Sequence, residues 1–494
     1  NISSMEENQT HFNVVIVGAG ISGIGAGYNL QKKCPHKSFV IFEGRENFGG
    51  TWDLFRYPGI RSDSDMHTMG FRFKPWVGKK MIADGPSILN YLEETISENN
   101  LGNKIRYQHK VLSSSWSSSN SRWTLEVNNE KTGNSESFTC NFLMLCGGYY
   151  NYDEGYTPHF DGQEQFNGQI VHPQKWTEDV DYKNKKVVVI GSGATAVTMV
   201  PAMAKEVEHI TMLQRSPTYY VAAPDEDFIG NFFSKIFPIK TAYFLTRWKN
   251  ILLGRWFYIR CMNSPEKIKK MLIDGVRNHL GEDYDIETHF TPRYKPWDQR
   301  LCLVPNADMF EAINSGKASV VTDHIETFTK NGIKLKSGDE LKADLIITAT
   351  GLNLQFLNGI DVKVDNSTVN IGEKMAYKGR MFSDVPNLSA TFGYTTASWT
   401  LGADLTSEYV CNLLNYMDKK GYDYCSPAIG GDVLQEENYL NLSSGYIKRG
   451  VDKMPKQGSR SPWKNTQNYL SDISEVRWGS ISNNDLHFKT LTAK

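Results

Sequence analysis

Gly18-Ala19-Gly20-Ile21-Ser22-Gly23 and Gly191-Ser192-Gly193-Ala194-Thr195-Ala196 set small residues at the spacing a dinucleotide pyrophosphate requires. The first position permits a tight turn, the second lets backbone approach the phosphates, and the third lets a helix pack closely on a strand. The positive end of that helix would meet the phosphate charge. Glu43 ends the apolar run after the first set, where a carboxylate accepts hydrogen bonds from a ribose hydroxyl. The matching place after the second set holds Gln214-Arg215-Ser216 and no acid. An arginine there favours a 2′-phosphate, and a solvated arginine is the alternative. The two sites thus differ in ligand, which points to FAD at the first and NADPH at the second.

Other residues able to do chemistry lie in turns. The stretch Gly49-Gly50-Thr51-Trp52 to Asp63 is a loop past a strand end, where α/β sheets build their sites. By composition Trp52 and Tyr57 read as loop packing, and Arg56, Arg61 and Asp63 as a solvated ion-pair cluster. Between the glycine sets lies Phe166 to Thr177, with Gly168, His172 and Trp176. His172 precedes a proline and has no carboxylate or nucleophile partner in the sequence. It reads as a latch between two nucleotide units, with Trp176 as an anchor, rather than as a general base. Ala349-Thr350-Gly351 is a small-residue turn suited to close approach of a cofactor, and Gly393-Tyr394 ends a later strand.

The elements that must position these residues follow from periodicity. Val14–Val17 and Lys186–Ile190 are β-branched runs expected as buried parallel strands, each leading through its glycine turn into a helix. The expected fold is α/β with two Rossmann-like units, FAD in the first and NADPH in the second. The first unit takes residues 1–152. The second takes 153–343 with a helical insertion at about 222–298, and 344–494 return to complete the first. Residues 71–150 are expected to alternate as strands. The insertion is rich in aromatic and basic residues. It reads as a lobe with its apolar faces packed on the second unit, a membrane-surface helix being the alternative. Gln457 to Trp463 reads as a surface turn.

At 494 residues the chain can bury large cores without disulfides or metals. A formal charge of −1 gives no electrostatic reason to expect nucleic acid or an obligatory membrane as partner. Seven scattered cysteines show neither C-x-x-C nor zinc spacing, so no metal is expected and the setting is expected to be cytoplasmic. Asn1 to Thr10 lack the basic and apolar regions of a signal peptide.

Two longer patterns resemble those of type I Baeyer-Villiger monooxygenases, within the class B flavoprotein monooxygenases. F-x-G-x-x-x-H-x-x-x-W is matched from Phe166 to Trp176, with Thr177 departing where the family has Pro or Asp. G-G-x-W-x-x-x-x-Y-P-G-x-x-x-D is matched from Gly49 to Asp63. Across nearly the whole chain the likeness is to the ethionamide-activating branch of mycobacteria. The resemblance implies NADPH reducing FAD, O₂ adding at flavin C4a, and the resulting peroxide attacking a small apolar ketone to give an ester or lactone. Protonation of that peroxide would favour sulfides or thioamides. It further implies that Arg300 stabilises the peroxide and that Asp63 keeps Arg300 poised. Gln299 stands where many relatives bind the 2′-phosphate with lysine, which shifts weight to Arg215 and Ser216. The rivals are an N- or S-oxygenating enzyme without Baeyer-Villiger activity and a redox sensor that binds both nucleotides without turnover. A disulfide reductase would need a dithiol that the sequence lacks.

Overall fold

The computed structural model describes residues 9–299, 301–430, 435–440 and 445–491. His11–Val17 forms the centre of the first sheet. Its Val14 and Ile16 enter one core cluster, while Val15 and Val17 enter another, so the strand is covered on both faces and reads as a continuous apolar run. Phe39–Phe42 and the end of Asn134–Leu145 flank it in parallel. Asn134–Leu145 begins antiparallel to Arg122–Asn129 and ends parallel to Leu388–Ala390, so the returning chain does join this sheet.

The second sheet has five parallel strands in the order Ala318–Thr322, His209–Gln214, Lys186–Ile190, Leu345–Thr348, Gln169–Val171. The architecture is α/β with two Rossmann-like sheets. The expected return at residue 344 falls too early, because Leu345–Thr348 pairs with Lys186–Ile190 and Gln169–Val171. All four of its side chains are buried in that sheet, which fixes it there rather than in the first unit.

Three further expectations are corrected. Within 71–150, Gly85–Glu98 is a helix, not a strand: the Asp84 carboxylate accepts from the Ser87 amide and Pro86 occupies the first turn. Its Ile88, Tyr91, Leu92, Thr95 and Ile96 are buried at helical spacing. Gln457 to Trp463 turns at the surface only through Ser459 to Pro462; Gln457, Gly458 and Trp463 are buried. Trp463 is fully buried edge-on to Tyr377, and its indole N–H donates to Asp485 at 3.1 Å.

The lobe consists of Phe228–Ile236, Ile239–Asn263, Pro265–Leu280 and Ile286–Phe290. Its last two helices do pack on the second core, through Val276, Ile286 and Phe290. The 25-residue helix instead packs on the first, through Ile251. Arg247 of that helix is buried and donates to the carbonyls of His67 and Gly70, both at 2.7 Å. Most apolar residues of Phe228–Ile236 remain exposed.

Candidate active site

One cavity of about 1100 Å³, above the roughly 300–1,000 Å³ of a pocket for one small ligand, is lined by Gly18 and Gly20 of the first glycine turn and by Ala194 and Thr195 at the start of the helix after the second, while Gly191 and Gly193 do not line it. At its first end Gly20 caps Ile21–Lys33, and no side chain occupies the free amides of that helix. Gly23 sits beneath, where an added Cβ would stand 1.8 Å from the Gly18 carbonyl oxygen. At the other end Gly193 caps Ala194–Met203, again without a side-chain cap, and an added Cβ there would meet nothing within 4 Å. Two helix N-termini with unsatisfied amides thus serve one cavity, as two dinucleotide phosphates require.

Glu43 lines the cavity although only 7% exposed. Its carboxylate accepts from the Ala19 amide at 2.8 Å and the Arg45 amide at 2.9 Å. Burial raises its pKa and these two amides oppose the rise. Lone pairs remain on both oxygens for a ribose hydroxyl, so the site fits the first nucleotide.

The loop from Gly49 to Asp63 joins the two units. Asp53 is buried and pairs with Arg45 at 2.7 Å and with Arg56, while Arg45 also donates to the Gly50 carbonyl. Gly59 adopts φ +77°, and a Cβ there would stand 2.6 Å from Ala202 Cβ, so the loop lies directly on the second helix. Arg61 pairs with Asp308 of the second unit. Burial pushes the pKa of the Tyr57 phenol, which lines the cavity near Thr195, up to about 12. The expected solvated cluster is therefore wrong: Arg56 pairs with buried Asp53 and Arg61 with half-buried Asp308, and exposed Asp63 lines the cavity.

Two dinucleotide sites facing each other across a shared cavity call for comparison with known enzymes. Residues 81–382 match the family described as flavin-binding monooxygenase-like, and residues 16–79 match an NAD(P)-binding Rossmann-like domain. The chain belongs to the flavin-binding monooxygenase-like family. Among its relatives is the FAD-containing monooxygenase EthA of Mycobacterium tuberculosis. It is 53% identical to that protein over 97% of this chain and 98% of EthA. A probable FAD-binding monooxygenase, AlmA of Acinetobacter, is 50% identical over 96% of each chain. A steroid monooxygenase solved with NADP superposes with TM-score 0.79 over 97% of this chain and 100% of that one, at 21% identity. An open form of cyclohexanone monooxygenase gives 0.77 over 98% and 100% at 19%, likewise a likeness of fold.

As a flavin-binding monooxygenase, the protein gathers most of the residues singled out in its sequence. Gly18, Gly20, Glu43, Gly50, Thr51, Trp52, Asp63, Ala194 and Thr195 line the cavity. Gly191 is closed in by the Ala349 carbonyl, 2.3 Å from a Cβ built on Gly191, so Ala349-Thr350-Gly351 packs against the second turn and does not line the cavity. Gly393 and Tyr394 also stay out of it. Gly393 packs under Trp399, and the Tyr394 hydroxyl donates to Asp472 at 2.6 Å; Thr395 to Leu401 take the place at the wall. Arg215 and Ser216 are exposed just past His209–Gln214, and Gln299 is half-buried; none of the three lines the cavity. Arg300 lies outside the described residues, while Trp297 and Leu301 line the cavity. Sequence reasoning gave no role to Arg45, Tyr152 or Gln467. Gln467 accepts from the Thr395 amide at 2.8 Å and brings the tail to the cavity. No local pattern signals such a long-range bond.

His172 is held at both nitrogens. Nε2–H donates to the Gly351 carbonyl and Nδ1 accepts from the Gln174 amide, each at 3.1 Å, which selects the neutral Nε2–H tautomer. The ring lies so close to Gly155 that a Cβ there would be 2.1 Å from it. Gly168 likewise faces the Asp344 carbonyl, and Phe166 is buried with Val188 and Phe328. Burial pushes the His172 pKa below its ordinary value, with the Gly351 and Tyr156 backbone opposing. The unfolded chain binds a proton near pH 6.5 that folded His172 resists, so stability is lost as pH falls below about 6.5. Thermal melts from neutral to mildly acidic pH should show this decline, and His172→Asn should flatten part of it.

Proposed function

We propose that the protein is an NADPH- and O₂-dependent monooxygenase that converts apolar ketones to esters or lactones and oxidises sulfides or thioamides in the same cavity. The observation that carries this reading is the single cavity shared by two uncapped helix N-termini and bridged by the Gly49–Asp63 loop. FAD would be held by Gly18, Gly20, Glu43, Gly50, Thr51 and Trp52. NADPH would be held by Gly191, Gly193, Ala194, Thr195, Arg215, Ser216 and Gln299. Bound nicotinamide and flavin supply the redox chemistry, hydride transfer and then activation of O₂. Trp52, Phe55 and Trp399 give the cavity apolar walls that exclude water. Tyr57 stays a neutral phenol in the cavity wall. Arg300 supplies fixed positive charge against the negative charge that develops during oxygen transfer, and Asp63 orients it. The protein works in the cytoplasm, where its seven buried thiols stay reduced.

The deciding experiment follows NADPH consumption and products with a ketone series and a thioether, with and without O₂. Substrate-stimulated, oxygen-dependent consumption with ester formation is expected; sulfoxide without ester would favour a purely sulfur-oxygenating enzyme. Arg300→Ala should still let NADPH bleach the flavin while ester formation falls about 100- to 1,000-fold. Arg215→Ala should raise the NADPH KM about 10- to 100-fold and leave the NADH KM and kcat nearly unchanged, since it removes a charge-assisted contact that only the 2′-phosphate makes. Initial rates with both nucleotides check this.

A further inference from the structure

Helices Phe228–Ile236 and Ile239–Asn263 leave an apolar face uncovered. Phe228, Phe232 and Ile236 recur every fourth residue and are 69%, 57% and 58% exposed. Leu252, Trp256 and Ile259 form a second exposed row at helical spacing on the longer helix. Gly230 is the one buried residue of the shorter helix. Exposed apolar surface on this scale marks an interaction site rather than ordinary surface.

Charge narrows the partner. Residues 228–263 contain no Asp or Glu, yet carry Lys235, Lys240, Arg247, Lys249, Arg255 and Arg260 in a chain whose net charge is −1. Arg247 and Lys249 face inward to Asp404 and Asp227. Lys235, Lys240 and Arg260 are exposed beside the apolar rows. A second copy of the chain meeting this face across a twofold axis would set like charges against each other. An anionic lipid surface satisfies both the apolar rows and the cations. The longer helix, at about 38 Å, has the length of a span. No described helix is apolar enough to cross a membrane, so this one would lie at the interface. On the same helix Asn250, Ile251, Gly254 and Arg255 line the cavity.

We propose that this helix pair lays its apolar face into the surface of an anionic phospholipid bilayer, and that the helix it shares with the cavity admits apolar substrate from the lipid. The anchoring stands on the surface alone; the admission of substrate rests on the monooxygenase reading. The test is flotation of the flavin-loaded protein with vesicles of phosphatidylcholine, alone or mixed with phosphatidylglycerol. A triple variant, Phe232→Ser with Ile236→Ser and Trp256→Ser, removes apolar groups that touch neither core nor cavity. The protein should float with the anionic vesicles and weakly with the neutral ones, salt should weaken it, and the variant should partition about tenfold or more less well. Oxidation of a long-chain ketone carried in vesicles should fall in the variant while that of a water-soluble ketone is unchanged. Absence of flotation, equal flotation of the variant, or a dimer in light scattering that the variant dissolves would overturn the anchor. An unchanged rate on the vesicle-borne ketone would overturn the admission of substrate. Flotation without turnover on any ketone would count against the monooxygenase reading and leave the anchor standing.

Discussion

Gly23→Ala is expected to yield protein without bound flavin and with a markedly lower melting temperature. The added methyl would sit 1.8 Å from the Gly18 carbonyl oxygen, a backbone atom with no rotamer to swing aside. Gly18 cannot retreat: its amide donates to the Phe42 carbonyl at 2.8 Å, and a Cβ built on it would stand only 2.9 Å from Cys146 and Gly147 backbone. Relief must come from lifting the helix Ile21–Lys33 off the central strand, which displaces the uncapped amides that would meet the phosphates. The cost should reach or exceed the ~3 kcal/mol upper end of overpacking. Gly20→Ala separates the two consequences, because its methyl would meet only Gly50, whose Cα lies at an ordinary 3.6 Å and N at 3.9 Å. That variant should melt near the parent yet hold flavin weakly. The flavin-to-protein absorbance ratio and the melting temperature of both variants check the prediction.

Arg247→Met is expected to destabilise the protein by about 3–5 kcal/mol, since it leaves a buried carboxylate without its cation. Nη1 of Arg247 donates to the carbonyls of His67, Thr68 and Gly70, and Nη2 lies 3.5 Å from the Asp404 carboxylate. Asp404 is itself buried, and burial pushes its pKa up to about 6, with Arg247 and the Arg72 amide opposing. The folded state therefore keeps this proton up to about pH 6, whereas the unfolded chain releases it near pH 4. The stability the protonated form contributes is full below about pH 4 and is lost as pH rises through 6. Removing Arg247 raises Asp404 further, so the variant's deficit should widen between about pH 6 and pH 8. Denaturant melts of both proteins at the two pH values measure it. The same anchor holds the long lobe helix to Met66–Met69, and both line the cavity through Ile251, Thr68 and Met69, so NADPH turnover should fall as well.

The sequence by itself determined the two strand–turn–helix units, because the backbone demands of such a turn are local and need small residues at consecutive fixed positions. Gly18 makes the tight turn and Gly23 lets the helix pack on it, as their spacing implies, and Glu43 reaches the cavity because it directly follows a buried strand. Gly49 to Asp63 could be recognised as a site loop by its pattern, but the partners of its charges could not. Arg61 finds Asp308, 247 residues away, and long side chains carry no local mark of which distant element they will face. For the same reason only the tertiary structure shifted the cavity wall from Gly393 and Tyr394 to Thr395–Leu401. It also carried Leu345–Thr348 into the second sheet and buried Trp463. The lobe illustrates the remaining division. Its aromatic and basic composition was legible, yet whether an apolar face is covered depends on what the rest of the chain brings against it, and here the fold covers one side of the helix pair and leaves the other exposed.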